Sequence, residues 1–157
     1  MKQVIRKIHD FLLKNNKTIA VAESCTGGII SSSLTELPGS SKYFILGAVT
    51  YSNKAKENIL KIPHKVIAKN GAVSEAVALL MAKNIRKIAK TDFGIGITGI
   101  AGPTGGSSSK PIGTVFIAVS NKNKTICKKF QFTGTRAQIR KKSAIEALNL
   151  FLTKSSL

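Results

Sequence analysis

Tryptophan is absent from this 157-residue chain, and only two cysteines, two histidines and seven carboxylates are present. The carboxylates are Asp10, Glu23, Glu36, Glu57, Glu75, Asp92 and Glu146. No two stand at a D-x-D spacing, which argues against an oxygen-ligand cage for Mg²⁺ or Ca²⁺. His9 and His64 form no H-x-x-x-H pair and lie beside no cysteine, so no zinc site is expected. Cys25 and Cys127 are too few for a disulfide framework and fit a reducing, cytoplasmic setting. No run of 18 apolar residues exists, so no membrane span is expected. The first residues, Met1 to Ile8, carry charges within their apolar pattern and are not a signal peptide. The length suits one domain, 1–157, with no repeat and no linker.

Acidic charge is scarce relative to basic charge: 25 Lys+Arg against 7 Asp+Glu, a net +18. The lysines are spread along the whole chain, and the densest groups are Lys128-Lys129 and Arg140-Lys141-Lys142. No aromatic-rich signature for stacking on bases accompanies them. The charge reads first as a solvated basic surface. Nucleic-acid binding through it is compatible with the charge but is not expected as the main function.

Patterning gives the architecture. Val4, Ile8, Phe11 and Leu12 make one helical stripe over 3–15, ended by Asn15-Asn16. Residues 18–22 are a short apolar strand running into Glu23-Ser24-Cys25-Thr26-Gly27-Gly28. A helix is expected over 27–37, closed by Pro38-Gly39. Residues 44–51 read as a strand, Ser52-Asn53 as a helix start, and 54–60 as a short helix. Pro63 opens a turn. Ser74-Glu75 caps a helix with Val77, Met81, Ile85 and Ile88 on one face. Residues 93–97 form a buried strand before a long loop, 98–109. Strands 114–120 and 125–132 flank Asn121 to Lys124 as a hairpin, so the sheet is mixed. A last helix turns Ile145, Leu148 and Leu152 inward. The order implies an α/β fold, a single-domain α/β/α sandwich with a mixed central sheet.

Ligand sites of such sheets lie where strands run into loops and helices. Three polar segments qualify: 23–28, 51–56 and 98–109. The first puts hydroxyls at a helix N-terminus, where free N–H groups favour an anion. The third is rich in Gly, Ser and Thr but is neither a Walker A loop nor a dinucleotide fingerprint. His9, expected to face solvent, and His64, expected in a turn, do not suit a Ser–His pair. Cys25 is a candidate nucleophile if the helix N-terminus lowers its pKa, and a buried packing residue otherwise. A serine with a lysine base remains, provided burial lowers the lysine pKa. Composition does not select that lysine.

Six segments in order carry a resemblance: Ala22 to Gly28 (A-E-S-C-T-G-G), Pro38 to Ser41 (P-G-S-S), Val49 to Lys56 (V-T-Y-S-N-K-A-K), Asn70 to Glu75, Thr98 to Pro103 (T-G-I-A-G-P) and Lys110 to Val115. At nearly full length the chain resembles the CinA C-terminal domain family, whose enzymatic members are nicotinamide-nucleotide amidases. The resemblance implies hydrolysis of the carboxamide of nicotinamide mononucleotide (NMN) to nicotinate mononucleotide and ammonia, as part of NAD recycling. It implies a metal-free serine amidohydrolase with a Ser–Lys pair and no cofactor. Carried over by motif, Ser41 is the expected nucleophile, Lys56 the base and Tyr51 their partner. Ser24, Thr98 and Arg136 are expected to bind substrate, with Ser24 the runner-up nucleophile. Arg136 and the 98–106 loop would take the phosphate, Arg140 being the alternative.

Longer members of that family carry a further N-terminal domain, so this chain is expected to be a stand-alone amidase. The resemblance also implies a homo-oligomer. Ser107-Ser108-Ser109 stands where acidic residues are expected. The competing reading is a non-catalytic nucleotide- or nucleic-acid-binding module on the same fold.

Overall fold

The computed structural model describes residues 1–154; positions 155–157 of the expected domain lie outside them. Along the chain come α1 (Lys2–Lys14), β1 (Ile19–Glu23), α2 (Ile29–Leu34), a 3₁₀ turn (Ser40–Lys42) and β2 (Phe44–Val49). Then follow α3 (Asn53–Leu60), α4 (His64–Asn70), α5 (Glu75–Ala89), β3 (Phe93–Gly99), β4 (Thr114–Ser120), β5 (Thr125–Gln131) and α6 (Arg136–Lys154). The sheet order is β2-β1-β3-β4-β5. β1 runs parallel to both β2 and β3, while the β3/β4 and β4/β5 pairs are antiparallel. The expected mixed sheet with helices on both faces is what forms.

The two faces differ because side chains alternate along a strand. Ile19, Val21, Ile95, Ile97, Val115 and Ile117 point to one face, where they pack with α1, α2 and α6. The other face is built from small residues: Ala20, Ala22, Gly94, Gly96 and Ala118. That flat surface admits α5 unusually close. A Cβ on Gly94 would lie 2.3 Å from the Ala82 carbonyl oxygen, and one on Gly96 2.4 Å from the Ala82 nitrogen. The F-G-I-G-I pattern of β3 is thus set by helix approach on one face and by core filling on the other. Val77, Met81 and Ile85 of α5 are fully buried, each contributing about 2 kcal/mol of apolar burial.

Several expectations are revised. The segment after Pro63 is a helix, α4, not an isolated turn. α2 starts at Ile29 because Gly28 sits at φ +100°, outside the helical region, and it ends at Leu34, short of the expected Leu37. Ile88 is exposed rather than on the buried face of α5. His9 is buried, not solvent-facing: its Nδ1 lies 3.3 Å from the Tyr43 hydroxyl. That hydroxyl donates to the Leu34 carbonyl at 2.8 Å. His64 lies at the start of α4, where its Nδ1 meets Glu57 at 2.8 Å. No helix among the described residues is long and apolar enough to cross a membrane.

Candidate active site

Parallel pairing decides which loops meet. β1 ends at Glu23 and β2 at Val49, so Ser24 and the Thr50-Tyr51-Ser52 turn emerge at the same end of the sheet. Two backbone bonds stitch the loops there: Thr50 N–H donates to the Glu23 carbonyl at 2.8 Å, and Ser24 N–H to the Ile97 carbonyl at 3.1 Å. Ser52 then caps α3, its hydroxyl accepting from Ala55 N–H at 3.0 Å. The first turn of α3 carries Lys56 back over the end of β1.

Lys56 is 1% exposed. Its Nζ donates to the Thr50 carbonyl at 2.8 Å and the Tyr51 carbonyl at 3.2 Å, and lies 3.0 Å from Ser24 Oγ. No carboxylate pairs with it: the ion pairs among the described residues are Lys17–Asp92 and His64–Glu57. Burial lowers its pKa from 10.5 to about 8, with the neighbouring Cys25 acting weakly in the opposite sense. The geometry suits a base. Two N–H bonds stay committed to carbonyls when the amine is neutral, and the third position, then a lone pair, faces the Ser24 hydroxyl.

Glu23 shapes the loop that presents Ser24. Its carboxylate is fully buried. It accepts from the N–H groups of Gly28 (2.9 Å), Ile30 (3.2 Å) and Ser31 (2.8 Å) and from the Ser31 hydroxyl (2.7 Å). The helix N-terminus expected to attract an external anion therefore holds the protein's own carboxylate, offset by the dipole and four donors. Arg140 clamps the same loop, Nη2 donating to the Thr26 carbonyl at 2.8 Å. Arg140 does not line the cavity beside Ser24, whereas Arg136 does.

The remaining wall comes from β3 and the loop after it. A cavity of about 260 Å³ is lined by Ser24, Tyr51, Lys56, Thr98, Arg136 and the 99–105 segment, together with Cys25, Ala72 and Val73. Thr98 is buried and its hydroxyl donates to the Ala72 carbonyl at 2.9 Å, leaving its lone pairs as acceptors. Arg136, at the start of α6, donates through Nη1 to the Gly102 carbonyl at 2.7 Å and through Nη2 to the Tyr51 hydroxyl at 2.8 Å. Tyr51 thus touches Lys56 through its carbonyl, while its phenol joins Arg136 at the cavity mouth.

Ser24, Lys56, Tyr51, Thr98 and Arg136 are brought together, and Ser41 is not. Ser41 lies exposed in the 3₁₀ turn before β2, whereas the site lies beyond the far end of that strand. Six strand residues separate the two by about 20 Å. The expectation that Ser41 attacks the substrate is therefore corrected: the serine in reach of Lys56 is Ser24. Of the two readings of Cys25, the buried packing residue is the one that holds. Burial pushes its thiol up to about 12, the opposite of activation, and it packs in the core. Among the described residues no group of three or more His, Cys, Asp or Glu is placed to hold a metal ion. Sequence reasoning missed the roles of Glu23 and Arg140. Their contacts cross 5–8 and 114 positions respectively, and no local motif announces them.

Comparison with known proteins gives the family. The chain is 46% identical over 150 residues to a putative competence-damage inducible protein of Thermoanaerobacter pseudethanolicus, covering 96% of this chain and 36% of that protein. It is 50% identical over 131 residues to a CinA-like protein of Syntrophotalea carbinolica, covering 83% and 32%. The chain therefore spans about a third of the length of these relatives. Among solved structures, competence damage-inducible protein A of Klebsiella pneumoniae superposes with a TM-score of 0.94 at 30% identity, covering 98% of this chain and 96% of that one. A competence/damage inducible protein of Agrobacterium tumefaciens gives 0.94 at 35% identity, covering 96% and 93%. The family model of the CinA C-terminal domain matches residues 1–155, and the chain belongs to that family.

Proposed function

We propose that this domain is a serine amidohydrolase that hydrolyses the carboxamide of NMN, with Ser24 as nucleophile and Lys56 as its base. The observation that carries this reading is the buried, carboxylate-free Lys56 amine 3.0 Å from Ser24 Oγ. A binding module gains nothing from burying an unpaired lysine, which costs stability. A base with a pKa near neutrality does gain from it.

Neutral Lys56 takes the Ser24 proton as Oγ bonds to the amide carbon. The oxyanion takes backbone N–H groups of the turn after Ser24 other than those of Gly27 and Gly28, which are bonded to Ser24 and Glu23. The carbon–nitrogen bond then breaks, and the Lys56 ammonium gives its proton to the departing nitrogen, releasing ammonia. Water attacks the resulting ester while Lys56 accepts its proton. The ester bond breaks and Ser24 regains its hydrogen. The pyridinium ring of NMN withdraws electrons from the carboxamide and makes it a better electrophile. Thr98 is placed to accept a hydrogen bond from the amide. The cavity suits a small molecule, and Arg136 at its mouth, held by Gly102 and Tyr51, has further N–H donors left over for the phosphate.

Metal-free protein is expected to release ammonia from NMN and far more slowly from nicotinamide, which lacks the phosphate. Arg136→Ala is expected to raise KM for NMN by roughly ten- to a hundredfold, the value of a lost charged hydrogen bond, and to leave nicotinamide nearly unaffected. Equal kcat/KM for both substrates would remove the phosphate assignment. NMN binding without ammonia release would favour the binding-module reading.

A further inference from the structure

A second cavity, larger than the one at Ser24, lies elsewhere on the fold. It is a groove of about 880 Å³ along the outer side of α5, between α4 and the β4–β5 turn, and it shares no lining residue with the Ser24 cavity. Six cations line it: Lys65 and Lys69 from α4, Lys83 and Arg86 from α5, and Lys122 and Lys124 from the turn. No carboxylate among the described residues lines it. None of the six side chains makes an ion pair or hydrogen bond among the described residues. Arg86 Nε is in addition buried with no hydrogen-bond partner among the described residues. Between these rims the floor is apolar, made by Val66, Ala76, Leu79 and Leu80.

Six unpaired positive charges facing one groove repel one another, and a polyanion relieves that repulsion by releasing its own counterions. The cations come from three separate elements, and five of the six are lysines, point charges on flexible stems rather than bidentate forks. That arrangement suits a row of phosphates more than one oriented headgroup. An apolar floor between charged rims gives unpaired bases a surface to lie on, which a duplex, with its bases stacked inside, would not use. We propose that this groove binds a single nucleic-acid strand through its phosphodiester backbone, without reading its sequence, at a surface separate from the Ser24 site. The net charge of +18 is then partly a built surface rather than an evenly solvated one.

The test compares two triple variants with equal change in net charge. One is Lys65→Glu/Lys83→Glu/Lys122→Glu in the groove. The other is Lys2→Glu/Lys7→Glu/Lys141→Glu on α1 and α6, across the sheet. All six lysines are exposed, and thermal melts establish that both variants are folded. Binding of a fluorescent oligo-dT is read by anisotropy across a salt series. Single strands lose about 0.7 in log–log salt slope per phosphate contact, so the groove variant is expected to lose about 2 in slope and at least about tenfold in affinity at ~0.05 M salt. The control variant is expected to change the slope by less than about 1, and a duplex of equal length to bind more weakly than oligo-dT. Equal losses in the two variants would overturn the proposal and leave only net charge. Absence of binding by the parent protein, or tighter binding of the duplex, would overturn it as well. Displacement of the strand by inorganic triphosphate at equal phosphate concentration would overturn it in favour of a small-molecule site.

Discussion

Replacing Lys56 by methionine should make protein stability respond to pH differently, by an amount set by the burial of its amine. In the folded protein the Lys56 pKa falls from 10.5 to about 8 because the amine is desolvated. That difference corresponds to about 3 kcal/mol at 1.36 kcal/mol per unit. The sign follows from proton counting. Below pH 8 both folded and unfolded states carry the charge, and the folded state bears the burial cost. Between 8 and 10.5 the unfolded chain still binds the proton and the folded protein does not, so stability of the parent rises with pH through that window. Lys56→Met removes this group and leaves the other titrating groups in place. Urea unfolding of both proteins at pH 7, 8, 9 and 10 should show the parent gaining on the variant by up to about 1.4 kcal/mol per pH unit above 8. The absolute offset also contains the Thr50 and Tyr51 carbonyls that methionine leaves unpaired, so the pH-dependent part is the quantity to read. A flat difference across the range would mean that the Lys56 amine is not desolvated, and the assignment of a base poised near neutrality would fall with it.

Glu23→Gln should lower stability by about 2–4 kcal/mol, because an amide NH₂ replaces an acceptor facing buried N–H groups; a thermal melt unchanged within a degree would refute the capping role. Cys25 should resist iodoacetamide in the folded protein at pH 8 and react after unfolding, since burial holds its thiol near pKa 12. Rapid native-state labelling of Cys25, read by mass spectrometry, would contradict that.

Most of the fold could be read from local pattern. The alternation in β3, the cap at Ser74 and the hairpin around Asn121 to Lys124 are short-range signals, and they placed the strands, α5 and the mixed sheet. Short-range signals fail where a distant partner decides. His9 sits on a stripe that looks half polar, yet Tyr43 meets it from 34 positions away. Pro63 reads as a breaker, but at the N-cap of α4 it starts a helix, where its missing N–H costs nothing. The proposed nucleophile shows the same division. The motif singled out Lys56 as the expected base, with Ser41 as the expected nucleophile and Ser24 as the runner-up. Topology separates them: in a parallel pair, residues after both strands share an end, while a residue before one strand lies at the other. Ser24 follows β1 and Lys56 follows β2, whereas Ser41 precedes β2. Glu23 and Arg140 were beyond reach for another reason, since each acts by holding backbone groups whose positions exist only after the loop has folded.

The most direct test of the account is ammonia release from NMN by metal-free protein, measured side by side for the parent, Ser24→Ala, Ser41→Ala and Lys56→Met. The account predicts turnover in the parent and in Ser41→Ala, and loss of at least about a thousandfold in Ser24→Ala and Lys56→Met, the scale on which removing a nucleophile or its base disables an acyl-transfer site. Turnover that survives Ser24→Ala, or disappears in Ser41→Ala, would contradict it.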